Sequence, residues 1–167
     1  DPAGYSSAIL IDAAGARQCV QLLQKGLVGV GAKTGEFLWR YPRSTSKYNA
    51  NIPTPVANGD LIYTASAGTG AGLVKLKPKH DGVEVEEIYF ESKLPTAIGG
   101  VIKIGDYLYG TTGQAMLCVE FETGKQKWED RAIGTASLCF ADGRLYLHGE
   151  NGQVALVEPS PEGYHEK

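Results

Sequence analysis

Short apolar runs broken by glycine turns recur along the whole chain. Ala8-Ile9-Leu10-Ile11, Pro55-Val56-Ala57, Val101-Ile102-Lys103-Ile104 and Ser137-Leu138-Cys139-Phe140 each lead into a turn glycine, at Gly15, Gly59, Gly105 and Gly143. A second strand-like run follows each: Ala16-Arg17-Gln18-Cys19, Leu61-Ile62-Tyr63, Tyr107-Leu108-Tyr109 and Arg144-Leu145-Tyr146. Two such runs joined through Asn-Gly or Asp-Gly predict a β-hairpin, because the turn needs positive φ and glycine adopts it at little cost. The four glycines stand 44, 46 and 38 residues apart, so the hairpin belongs to a repeated unit.

A second pattern runs in phase with the first. Val28-Gly29-Val30-Gly31-Ala32-Lys33-Thr34-Gly35-Glu36-Phe37-Leu38-Trp39 matches the stretch from Met116 to Trp128, which carries Thr123-Gly124. Each reads as a strand, a Thr-Gly turn and a second strand ending on tryptophan. Trp39 and Trp128 are 89 residues apart, two repeats, and the repeat between them pairs Leu73-Val74-Lys75-Leu76 with Glu87-Ile88-Tyr89-Phe90. Its connecting turn reads as longer, Pro78-Lys79-His80-Asp81-Gly82, and Tyr89 stands where tryptophan would be. The fourth repeat offers Gln153 to Glu158, followed by the Pro-rich Pro159-Ser160-Pro161.

Four short antiparallel strands in about 40 residues make a propeller blade. The predicted fold is therefore all-β, a single β-propeller segment over residues 1–167 with four blades near 5–42, 51–90, 97–130 and 133–165. No stretch holds a 3.6-residue apolar period; Cys19-Val20-Gln21-Leu22-Leu23 takes its place in the repeat as strand. The 22 glycines in 167 residues fit this reading, at about 13% against a usual 7%.

Charge and cysteines narrow the function classes. A net charge of −3, from 16 basic and 19 acidic residues, gives no electrostatic case for nucleic acid or an anionic membrane. No apolar run approaches the roughly 18 to 20 residues of a membrane helix. Cys19, Cys118 and Cys139 all sit in apolar stretches with no CxxC spacing, so they read as buried strand cysteines acting as small hydrophobes.

The Ala-Lys-Thr-Gly-Glu-Phe-Leu-Trp stretch ending at Trp39, recurring as Thr123-Gly124 to Trp128, resembles the repeat of the PQQ-like (quinoprotein) β-propellers. That group includes quinoprotein alcohol dehydrogenases, polyvinyl-alcohol-dehydrogenase-like proteins and BamB-like scaffolds. The resemblance covers about residues 5 to 165. It implies that Trp39 and Trp128 dock between neighbouring blades, with Gly35 and Gly124 turning the chain beneath them and Tyr89 filling the same place in the second blade. It also implies a bacterial protein, periplasmic or secreted, and PQQ with Ca²⁺ as the cofactor of the members that are dehydrogenases. Family propellers usually close with six to eight blades. Four blades leave two open edges, so the partner expected is a protein, either further blades or a second copy of the chain.

The chemistry that the cofactor-dependent relatives use is thin in this sequence. No adjacent cysteine pair and no haem-attachment Cys-x-x-Cys-His is present. Glu150-Asn151 is the richest local calcium candidate, and it reads first as an ordinary hairpin turn at Gly152. His80 and His165 read as solvated; His148 follows Leu145-Tyr146-Leu147 and is a candidate to face the central channel. Ala67-Gly68-Thr69-Gly70-Ala71-Gly72 holds Gly-x-Gly-x-Gly but lies between strands, so it reads as a hairpin loop rather than a dinucleotide site. The channel mouth is expected to be lined by the segments entering the innermost strands, Asn49 to Thr54 and Lys93 to Gly100. The candidate binding residues are Asn49, Asn51, Thr54, Thr96 and His148; no catalytic residue and no metal ligand is assigned. The leading functional reading is a non-catalytic binding or scaffold module presenting those loops. The alternative is a fragment of a PQQ-dependent alcohol or sugar dehydrogenase.

Overall fold

The structure, a computed structural model, describes residues 1–46 and 50–167. It contains strands and turns in four antiparallel sheets, each of four strands in chain order. Blade 1 holds β1 (Ile9–Ala13), β2 (Ala16–Leu23), β3 (Gly26–Gly31) and β4 (Phe37–Tyr41); blade 2 holds β5 (Val56–Asn58), β6 (Leu61–Ser66), β7 (Gly70–Lys79) and β8 (Gly82–Glu91). Blade 3 holds β9 (Val101–Ile104), β10 (Tyr107–Thr111), β11 (Met116–Glu120) and β12 (Gln126–Asp130); blade 4 holds β13 (Ala136–Ala141), β14 (Arg144–Gly149), β15 (Val154–Glu158) and β16 (His165–Glu166). These are four blades of a β-propeller.

The hairpins that open the blades use two turn chemistries. In blades 1 and 4 the turn pairs are Ala14-Gly15 and Asp142-Gly143, and both residues of each have positive φ, as a type I′ turn requires. In blades 2 and 3 the turn pairs are Gly59-Asp60 and Gly105-Asp106, with positive φ at glycine alone. Asn58 therefore ends its strand instead of sharing the turn with Gly59.

The third and fourth strands carry the docking aromatics in register. Gly29 faces Trp39, Leu73 faces Tyr89 and Cys118 faces Trp128, and in each case the pairing shifts by a bulge at the next residue. Tyr89 thus fills the tryptophan position of blade 2. Trp39 is 3% exposed, in a core that blades 1 and 2 build together. The aromatics of blades 2 and 3 reach onward: the Tyr89 hydroxyl donates to the Phe121 carbonyl at 2.8 Å, and the Trp128 indole donates to the Ser160 carbonyl at 2.7 Å. Gly35 and Gly124 turn the chain with φ of 70° and 71°, a conformation glycine reaches without a Cβ clash.

Two expected loops are strand. β7 runs through Pro78 to Lys79, leaving only His80 and Asp81 as the turn. Pro78 is tolerated because β6 ends its pairing at Lys75, so no ladder partner on that side needs its missing N–H. The glycine-rich stretch begins as a turn, but Gly70, Ala71 and Gly72 enter β7 and pair with β6.

Three apolar cores lie between consecutive blades. The first joins Val20, Leu22 and Leu27 to Ile62, Val74 and Leu76. The second joins Tyr63, Ala71 and Leu73 to Leu108, Leu117 and Val119. The third joins Tyr109, Met116 and Cys118 to Leu145, Ala155 and Val157. Among the described residues no such core joins blade 4 to blade 1, so the blades form an open row with a free face at each end.

The cysteine expectation is corrected by this arrangement. Cys118 is buried in the third junction, whereas Cys19 is half-buried and Cys139 is exposed. Their strands are apolar, as read, but both lie on faces that no neighbouring blade covers.

Candidate functional site: the channel groove

The first strand of each blade is the innermost, and β5, β9 and β13 converge on a groove of about 300 Å³. Its walls are mostly apolar: Ile52, Pro53, Ile98, Val101 and Leu138, with the hydroxyl-bearing Thr54 among them. No ionisable side chain lines it. Pro53 and Pro55 hold the entering segment extended, since proline fixes its own φ and biases the residue before it toward β geometry. On the facing wall Gly99 lets the chain lie against blade 4. A Cβ there would stand 1.9 Å from the Ala136 carbonyl oxygen, so no other residue fits without moving backbone.

The residues singled out from sequence fall in different places. Thr54 is exposed and lines the groove, accepting a 3.3 Å hydrogen bond from the Ser7 amide. Thr96 is half-buried at the base of the adjoining segment, where its amide donates to the Thr111 carbonyl at 3.1 Å. Asn51 is fully buried and holds the scaffold together. Its Oδ1 accepts from the Ser46 amide at 2.7 Å and the Ser66 hydroxyl at 2.9 Å, and its Nδ2 donates to the Leu23 carbonyl at 2.7 Å. One side chain thereby ties the second turn of blade 1 to that of blade 2. Asn49 lies outside the described residues.

His148 stands on β14, the second strand of its blade, between Ser137 and Val154. It is exposed on the uncovered face of blade 4 and is not on an innermost strand. The groove residues that sequence reasoning did not single out, Ile98, Val101 and Leu138, carried only a general apolar signal. Gly99-Gly100 was the one local hint of a close backbone approach.

Titratable groups in the interior are phenols and a thiol. Burial raises the Tyr63 hydroxyl well above its ordinary range, and that hydroxyl donates to the Pro95 carbonyl at 2.8 Å. Burial likewise raises Tyr89 and Tyr109, and it raises the Cys118 thiol beside Tyr109. Tyr41 is raised by burial and by its hydrogen bond to Glu87, which Arg43 also engages. Each of these groups stays neutral and structural at ordinary pH.

A calcium-bound quinone needs a converging set of oxygen donors. Among the described residues no three His, Cys, Asp or Glu side chains converge to hold a metal. At Glu150-Asn151 the Asn151 amide is engaged within its own turn, accepting from the Gln153 amide at 3.0 Å and donating to the Gln153 side chain at 2.7 Å. The donor set that such a group needs is not assembled by these residues.

No curated protein matches the sequence significantly. Among solved structures, BamB from Moraxella catarrhalis superimposes with a TM-score of 0.69 at 13% identity, over 96% of this chain and 48% of that one. The chain thus spans about half the length of that protein. The computationally designed Ika4 protein superimposes with a TM-score of 0.63 at 12% identity, over 93% of this chain and 92% of that one. A europium-containing methanol dehydrogenase aligns at a TM-score of 0.48 and 12% identity, over 66% of this chain and 23% of that one. The sequence profile of the family described as outer membrane protein assembly factor BamB matches residues 1–128, and the chain belongs to that family of PQQ-like propellers.

Proposed function

We propose that the chain is a non-catalytic binding module of a periplasmic scaffold. Its ring is completed by further protein, and its channel groove receives an extended apolar segment of a protein partner. One observation carries the reading: the groove formed by the innermost strands is open and apolar, with no ionisable side chain in its lining. Such a surface supports burial of apolar side chains beside backbone hydrogen bonding, and it offers no general acid, base or nucleophile. Ile98, 48% exposed at the mouth, is the most accessible apolar contact.

Selection from a library of displayed unstructured peptides tests this. Apolar peptides that bind the wild type and lose at least tenfold in affinity on Ile98→Asp are the expected result. Failure to enrich any groove-dependent peptide overturns the reading. Saturable, calcium-dependent PQQ binding, followed by cofactor absorbance, would instead support the dehydrogenase alternative.

A further inference from the structure

The register of the repeats shows what each free face is made to meet. Toward the following blade, blade 1 presents Ile9, Val20 and Gly29 as one cross-strand row, blade 2 Val56, Tyr63 and Leu73, and blade 3 Ile102, Tyr109 and Cys118. Blade 4 presents Cys139, Tyr146 and Leu156 in the same register. A parallel row is Leu22 with Leu27, Ala65 with Ala71 and Thr111 with Met116, and in blade 4 His148 with Val154. Tyr63 and Tyr109 are 1% and 2% exposed where Tyr146 is 42% exposed; Ala71 and Met116 are both 0% exposed where Val154 is 72% exposed. Blade 4 therefore carries an interface row with nothing on it.

The other end is the mating half. Toward the preceding blade, the central pairs are Ile62 with Val74, Leu108 with Val119, and Leu145 with Val157, all 0% exposed. Blade 1 repeats this pair as Cys19 with Val30, flanked by Leu10 at 52% and Phe37 at 57% exposure. One end of the chain thus displays the leading face of a junction and the other end the trailing face. Two like ends are not equivalent to any junction in the chain; opposite ends are.

We infer that two copies of this chain close head to tail, blade 4 of each against blade 1 of the other, into an eight-bladed ring. The inference rests on the ring completion proposed above and is independent of what the groove binds. The curvature agrees with it, because 96% of this chain superimposes on 48% of a propeller chain about twice as long. A two-fold ring makes both new junctions at once and leaves no open face. The channel is then lined by innermost strands of both copies.

The cysteines supply the test. Cys139 takes the register position of Ile9, Val56 and Ile102, and Cys19 that of Ile62, Leu108 and Leu145. Ile9 shares a core with Ile62, Val56 with Leu108 and Ile102 with Leu145. Head-to-tail closure therefore brings Cys139 of one copy and Cys19 of the other into one junction, with facing sheets about 10 Å apart. Cys118 is buried within the chain and takes no part.

The reduced protein is treated with a short bismaleimide and run on a denaturing gel. Wild type is expected to give a covalent dimer, and both Cys19→Ser and Cys139→Ser to lose it at least tenfold. Val154→Asp, at an exposed site, is expected to abolish the dimer while leaving the circular dichroism of the chain unchanged. A dimer that persists in Cys19→Ser but not in Cys139→Ser means that like ends meet, which overturns the head-to-tail geometry. No crosslink in any variant, with a monomeric mass, overturns the second copy as partner.

Discussion

Tyr63, Tyr109 and Tyr146 occupy one register position in three consecutive blades, yet they are 1%, 2% and 42% exposed. The internal junctions and the two end faces are built from the same alternation of apolar residues along equivalent strands. What differs is whether a neighbouring blade stands against them. Burial in a repeat protein is a property of the stack more than of the unit, because a single blade cannot cover its own two faces.

That contrast yields mutational outcomes, in descending order of effect. Trp39→Ala, at 3% exposure within the first junction, is expected to cost about 3 to 5 kcal/mol as a large core truncation, read from chemical denaturation. Unchanged stability would remove the docking role of Trp39. Tyr63→Ala should fall in the same range, about 3 to 5 kcal/mol, since it also leaves the Pro95 carbonyl without its hydroxyl donor. The matched Tyr146→Ala is expected to stay within about 0.5 kcal/mol when the chain is dilute and single, as a surface substitution does. Equal losses at Tyr63 and Tyr146 would break the distinction between junction and end.

Gly99→Ala probes the groove wall, where the new methyl meets the Ala136 carbonyl oxygen. A loss of about 1 to 3 kcal/mol is expected from overpacking, with a lowered thermal midpoint as the readout. The smallest effect is alkaline. Tyr63, Tyr89 and Tyr109 sit in the junctions with phenol pKa values raised by burial above the ordinary 10.0. Their unfolded forms release the proton first, so the stabilisation is complete below about pH 10 and declines as pH rises above it. Denaturation midpoints measured between pH 8 and 11 should be flat and then fall; a midpoint that rises with pH would contradict the burial of these phenols.

Much of the fold was legible because propeller blades are local. Hairpins join adjacent runs, and the two Thr-Gly turns with Trp39 and Trp128 set the blade period. Tyr89 could be placed by spacing alone, and the structure pairs it with Leu73 as Trp39 is paired with Gly29. The turn at Pro78 was misread as long, because a proline that breaks most strands is harmless where the neighbouring strand has already ended.

The site was less legible, since the groove is assembled from three blades by residues with no chemical signature. Ile98 and Leu138 look like any core apolar residue in sequence. Asn51 looked like a channel-mouth ligand and is instead a buried tie between two blades. Cys19 and Cys139 looked like ordinary core cysteines, and only the absence of a neighbouring blade exposes them.

The account turns on whether the end faces meet a second copy, and solution mass by light scattering on a sizing column reads that directly. Two chains closed head to tail predict twice 17.8 kDa, about 36 kDa, falling to the single-chain value in Val154→Asp. A wild-type mass of 17.8 kDa across the micromolar range would contradict it, and the ring would then be completed by other protein.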